Sequence, residues 1–90
     1  MQFMMTYSFK IDTYEQTVSR FLETGAPAPE GVNQTGRWHA AAGRCGFILF
    51  ETDDVTAIYT YASQWQDLID LQVYPVLGDE AAAGVLSKLR

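Results

Sequence analysis

One cysteine, one histidine and only six lysines and arginines are the scarcities of this 90-residue chain. Cys45 alone closes no internal disulfide, so the fold rests on its core, and a reduced, cytoplasmic protein is expected. The opening segment MQFMMTYSFK has neither the basic start nor the long apolar stretch of a signal peptide, which agrees with that expectation. The six basic residues face eleven Asp and Glu, a net charge of -5 with no basic run. That balance repels phosphate backbones and anionic lipid, so neither nucleic acid nor a membrane is expected as a partner. His39 and Cys45 are too few for zinc, which takes about four protein ligands in a structural site and about three in a catalytic one, so no metal is expected. No glycine-rich phosphate loop and no Gly-x-Ser-x-Gly elbow appears, which leaves nucleotide hydrolysis and serine hydrolase chemistry without support, and no cofactor is expected. The acidic pairs Asp53-Asp54 and Asp79-Glu80 sit where helix starts favour negative charge, and capping accounts for them.

What the chain has in quantity is apolar surface, at 48% hydrophobic and 13% aromatic residues, enough for one domain over residues 1–90. A chain of this length buries roughly 60 to 65% of its unfolded surface, which makes association a natural supplement to stability.

Residues 2–9 alternate Phe3, Met5, Tyr7 and Phe9 against Gln2, Met4, Thr6 and Ser8 and predict a strand. A capping box of Asp12 and Glu15 opens a helix with Tyr14, Val18, Phe21 and Leu22 on one face, and Gly25 ends it. Residues 33–40 and 46–52 predict a hairpin with Gly43 at positive φ. Thr52 or Asp53 caps a second helix whose stripe is Val55, Ile58, Tyr59, Ala62 and Trp65. Residues 68–77 alternate again, with Pro75 marking an edge strand, and a last helix starts at Asp79 with Ala82, Val85, Leu86 and Leu89 on its face. The order is that of a ferredoxin-like βαββαβ α+β domain with an antiparallel sheet and a C-terminal helix. Helices on one face place Phe3, Met5, Tyr7, Trp38, Ile48, Phe50, Leu71 and Val73 in the core. In an unbroken register the other face carries Thr6, Ser8, Thr35, Arg37, His39, Phe47, Leu49, Glu51, Asp70, Gln72 and Tyr74.

The segments Phe3-Met-Met-Thr-Tyr7, Gly36-Arg-Trp-His-Ala40, Phe50-Glu-Thr-Asp-Asp54, Trp65-Gln-Asp-Leu68 and Val73-Tyr-Pro-Val-Leu77 together resemble a family of short bacterial proteins of unknown function in the dimeric α/β-barrel superfamily. The resemblance spans nearly the whole chain. It implies a homodimer in which two ferredoxin-like subunits pack sheet against sheet and enclose the mixed face. Relatives in that superfamily include cofactor-independent antibiotic biosynthesis monooxygenases, haem-degrading enzymes and small isomerase-like proteins, so the resemblance selects no reaction.

Within that face His39 is the acid or base candidate, because histidine is the side chain suited to proton transfer near neutral pH. Arg37, two residues away, is the candidate to grip a carboxylate, an enolate or a phenolate, against the plainer reading of a salt bridge to Glu51 or Asp70. Thr6, Ser8, Glu51, Gln72 and Tyr74 are the expected ligand-binding groups around them. Trp38 and Trp65 read as core, and Cys45 as incidental. The expected function is binding of a small organic molecule, with monooxygenation or isomerisation as the enzymatic form. A non-catalytic ligand sensor and a purely structural dimer are the alternatives. Whether the loop from Ala26 to Gly31 closes over such a pocket is left to the structure.

Overall fold

A computed structural model describes all residues 1–90. Its elements are β1 (Gln2–Phe9), α1 (Tyr14–Thr24), β2 (Asn33–His39), β3 (Cys45–Glu51), α2 (Val55–Ser63), β4 (Ile69–Val76) and α3 (Asp79–Lys88). The strands form one sheet in the order β2-β3-β1-β4, antiparallel at every junction, which is the ferredoxin-like α+β arrangement with α3 appended. Pro75 lies on the edge strand β4, where a missing N–H does least harm. No helix is long and apolar enough to cross a membrane.

Gly25 ends α1 in the left-handed region, at φ 72°, with its N–H on the Phe21 carbonyl at 2.7 Å. The helix α3 starts at Asp79 as expected, while the starts of α1 and α2 differ from the sequence expectation, with Thr13, Thr52 and Asp53 held by tertiary partners. Asp12 adopts φ 64° and caps nothing, so no capping box forms with Glu15. Thr13 stands at the cap position, yet its hydroxyl points to the carbonyls of Lys10 and Leu68, at 2.7 and 2.9 Å, and ties the start of α1 to the start of β4. Asp54, rather than Thr52 or Asp53, caps α2 by accepting from the N–H groups of Thr56 and Ala57. Thr52 is buried and donates to the Gly31 carbonyl at 2.6 Å, while Asp53 pairs with the N-terminal ammonium at 3.0 Å.

The core joins Phe3, Met5, Ile48 and Phe50 of the sheet to Ile58 and Tyr61 of α2. Phe50 is fully buried, with Phe3 stacked on it at 5.8 Å and Tyr61 edge-on at 6.1 Å. The buried stripe of α2 is Ala57, Ile58, Tyr61 and Ala62, and the expected stripe residues Val55 and Tyr59 are exposed. Rotation toward Tyr61 lets its phenol donate to Gln34 Oε1 at 3.0 Å, which satisfies a hydroxyl that burial would otherwise penalise.

The largest departure lies in β2, where the pairing with β3 slips by one residue between Gln34 and Gly36. Thr35 is the surplus residue, and its hydroxyl donates to the Leu49 carbonyl at 3.1 Å. Because side chains alternate with period two, every residue after the bulge changes face. Arg37 pairs with Ile48 and His39 with Gly46, so both point toward the helices, whereas Trp38 pairs with Phe47 on the uncovered face. Trp38 is therefore 53% exposed rather than in the core. Its indole lies over Gly36, where a Cβ would come within 2.3 Å of the ring, so a side chain at residue 36 would push the indole aside.

Across the sheet the uncovered face runs in rows: Asn33, Glu51, Gln2 and Val76; Gly36, Leu49, Met4 and Tyr74; Trp38, Phe47, Thr6 and Gln72. Ser8 lies between Cys45 and Asp70 at the far end. The helix α3 buries no residue, and Val85, Leu86 and Leu89 on its apolar side are all more than half exposed. In keeping with that, the molecule measures 51 × 29 × 17 Å with a radius of gyration of 15.1 Å, against about 12 Å for a compact chain of this length.

Candidate functional site

Between α1 and the covered face of the sheet lies a cavity of about 230 Å³, lined mainly by hydrophobic side chains. Met5, Ile48 and Leu71 form its floor, Thr17, Val18 and Phe21 its roof, and Tyr61, Trp65 and Ile69 contribute its walls. Tyr14, from the first turn of α1, and Arg44, from the β2–β3 turn, line it as well. A cation–π contact, the Arg44 guanidinium 4.9 Å from the centre of the Tyr14 ring, joins the two.

The polar end of the cavity is made by one row of the sheet, His39, Gly46, Tyr7 and Leu71. Gly46 has no side chain to separate its neighbours, so the Tyr7 phenol reaches across it to His39 Nδ1 at 3.1 Å. A Cβ at residue 46 would lie 2.5 Å from the Tyr7 hydroxyl, and glycine is what makes this pair possible. Burial pushes the Tyr7 phenol above the usual tyrosine range, partly offset by the charge of Arg37 and assisted by Cys45 and Tyr61. The phenol thus keeps its proton at neutral pH. When it donates to Nδ1, the imidazole proton sits on Nε2; when it accepts from Nδ1, Nε2 is the free base. The His39 ring packs edge-on against Phe21 at 5.5 Å, which holds it at the rim of the cavity.

Arg37 also lines the cavity, but its guanidinium is engaged on several sides. It donates to the carbonyls of Gly25 at 3.2 Å and of Ala26, to Gln34 Oε1 at 3.0 Å and to the Tyr61 hydroxyl at 3.2 Å. It also stacks on Phe21 at 5.5 Å. The expected salt bridge to Glu51 or Asp70 does not form, since those carboxylates lie on the opposite face and Asp70 pairs with Lys10 at 2.8 Å. Arg37 instead anchors the loop that follows α1, and so fixes the roof of the cavity. The opposite edge of that roof is held by Arg20, which binds both carboxylate oxygens of Asp67 at 2.9 and 2.7 Å and lies over Trp65. The guanidinium hydrogen bonds hold the Asp67 carboxyl below the usual range.

A family described as a domain of unknown function, DUF3303, matches residues 1–90. The chain belongs to the DUF3303 family. Comparison of this DUF3303 chain with curated proteins and with solved structures gives no match.

The residues expected to share one site in the DUF3303 chain are divided between the two sides of its sheet. Arg37 and His39 line the cavity under α1, while Thr6, Ser8, Glu51, Gln72 and Tyr74 lie on the uncovered face. There the Tyr74 hydroxyl donates to Gln72, and Cys45, half-buried, stands opposite Ser8. The bulge at Thr35 is the cause of the division. Sequence reasoning placed Tyr7 in the core and Tyr14 on the apolar face of the first helix, and gave a site role to neither of them, nor to Arg44 or Gly46. The available signal was Gly46 itself, an isolated glycine in a β-prone run, which marks a close approach. No cluster of three or more His, Cys, Asp or Glu side chains converges on a point where a metal ion would sit.

Proposed function

We propose that this DUF3303 protein binds a small, largely apolar organic molecule in the cavity under α1, with Tyr7 and His39 as the groups that hold or move its proton. The observation carrying this reading is the 3.1 Å Tyr7–His39 pair at the polar end of an aromatic-walled cavity of about 230 Å³. His39 acts as acid or base through Nε2, and the phenol sets which tautomer it presents. An isomerisation or a cofactor-independent oxygenation needs such a proton step, and kinship with the antibiotic biosynthesis monooxygenases belongs to this proposal, supported by the strand order β2-β3-β1-β4. Binding without turnover makes the protein a carrier or sensor that uses the same cavity.

The partner in this reading is a second copy of the chain, seated on the uncovered sheet face. Leu49, Met4, Tyr74, Trp38 and Phe47 make its two middle rows largely apolar, and the only carboxylates, Glu51 on the interior strand β3 and Asp70 on the edge strand β4, stand in the two outer rows. A twofold axis through the middle then buries the aromatic rows without stacking like charges. The free thiol of Cys45 suits the reducing, cytoplasmic setting proposed with it.

Native mass spectrometry of protein purified gently from cells tests both parts. A dimer mass with a discrete adduct that is lost in His39→Ala or in a cavity-filling Val18→Trp is the expected result. A chain that remains monomeric and never carries or binds a small molecule overturns the reading.

A further inference from the structure

The ionisable groups around the cavity are one-sided. Two of the six Lys and Arg of the chain, Arg37 and Arg44, line it together with His39, and none of the eleven Asp and Glu does. In a protein of net charge -5 this is the reverse of the overall balance. It gives the cavity a local field that favours a negative ligand. The two arginines differ in availability. Arg37 is held by two carbonyls, Gln34 and Tyr61. Arg44 takes part in none of the three ion pairs, and its guanidinium lies over the Tyr14 ring at 4.9 Å. A guanidinium stacked on a ring by its face still presents its N–H groups at the edge, in the fork geometry that matches a carboxylate.

The backbone holds Arg44 in that place at a cost. It adopts φ 68° beside Gly43 at φ 79°, a left-handed conformation that disfavours any residue with a Cβ. Its carbonyl accepts the Phe9 N–H at 2.8 Å, which pins the turn to β1 next to the cavity.

We propose that the cavity selects an anion with a single-ring apolar body, in chemical class an aromatic carboxylate, and that Arg44 is the specificity-determining residue that pairs with the carboxylate. This rests on the reading of the cavity as a ligand site. Its size fits, since a cavity of roughly 150 Å³ holds benzene and about 230 Å³ leaves room for a short acid arm.

The test uses three matched probes, phenylacetate, phenylacetamide and benzylamine, titrated into the full-length protein and followed by amide chemical shifts around Tyr7, Tyr14 and His39. Phenylacetate is expected to bind roughly tenfold more tightly than the amide, with the amine weakest. Arg44→Gly removes the guanidinium and suits the left-handed backbone, so it folds, and it should bring the acid and the amide to equal affinity. Arg44→Lys should restore part of the preference, because it keeps the charge but loses the fork. Equal affinity of the acid and the amide for the unaltered protein overturns the anion preference and leaves the ligand site standing. A preference that persists in Arg44→Gly overturns the role of Arg44. No shift with any probe sinks the ligand site and this inference together.

Discussion

Tyr7 shows how much depends on one missing side chain. The phenol meets His39 only because residue 46 is glycine, and burial then keeps the phenol protonated. The consequence is a pH dependence with a definite sign. Between the ordinary tyrosine value of about 10 and the raised value in the fold, the unfolded chain has released a proton that the folded chain keeps. The stabilising contribution is therefore complete below about pH 10 and is lost as pH climbs through the raised value. In Tyr7→Phe the alkaline limb of Tm against pH should be flatter than in the unaltered protein, with about 1 kcal/mol lost at neutral pH from the missing hydrogen bond. Equal alkaline limbs for the two proteins would contradict the shift. Nothing in the sequence around Tyr7 announced this role, since period-two alternation places a residue on a face and says nothing of what stands opposite.

Of the three helices, α1 and α2 are fastened to the sheet and α3 is free. The C-terminal half of α1 is tied by Arg37 to the carbonyls at its end and by Arg20 to Asp67, and between these ties it roofs the cavity. Arg37→Met keeps the apolar stem and removes the charge-assisted hydrogen bonds. It should cost about 2 kcal/mol in denaturant unfolding and loosen the roof, read as faster amide exchange in residues 20–26. By contrast α3 buries nothing, and its hydrogen bonds run within itself and to Gly78. A ten-residue helix without a packed face is marginal in water. Amides of α3 in the isolated subunit should therefore exchange far faster than those of β1, and protection equal to β1 would show that the apolar side of α3 is covered in solution. The existence of all seven elements was legible in apolar periodicity and in Gly25, Gly43 and Pro75. The N-caps of α1 and α2 were not, because Thr13, Thr52 and Asp53 bond to partners far along the chain.

On the scale of the molecule, the sheet carries apolar side chains on both faces and helices on one. Trp38 at 53%, Phe47 at 47% and Tyr74 at 46% exposure make the uncovered face unusually apolar for a lone subunit. In the proposed homodimer this face is the interface, and Phe47→Glu places two carboxylates near its centre. Sedimentation should then shift from dimer to monomer while the fold persists, since residue 47 supports no part of the core. A variant that sediments like the unaltered dimer would move the interface elsewhere, with the apolar side of α3 as the next surface to test.

The sequence by itself determined the element order, the antiparallel ferredoxin-like plan and most of the core, because hydrophobic period and turn chemistry are local quantities. It also drew attention to Arg37 and His39 of β2 as candidate site residues. Only the tertiary structure decided which way they face. A bulge of one residue at Thr35 exchanges inside for outside along the rest of the strand, and it depends on the match of β2 to β3 and α2, through Leu49, Gln34 and Tyr61. That single slip moved His39 from the uncovered face of the sheet to the rim of the cavity under α1, beside a tyrosine some thirty residues away in the chain.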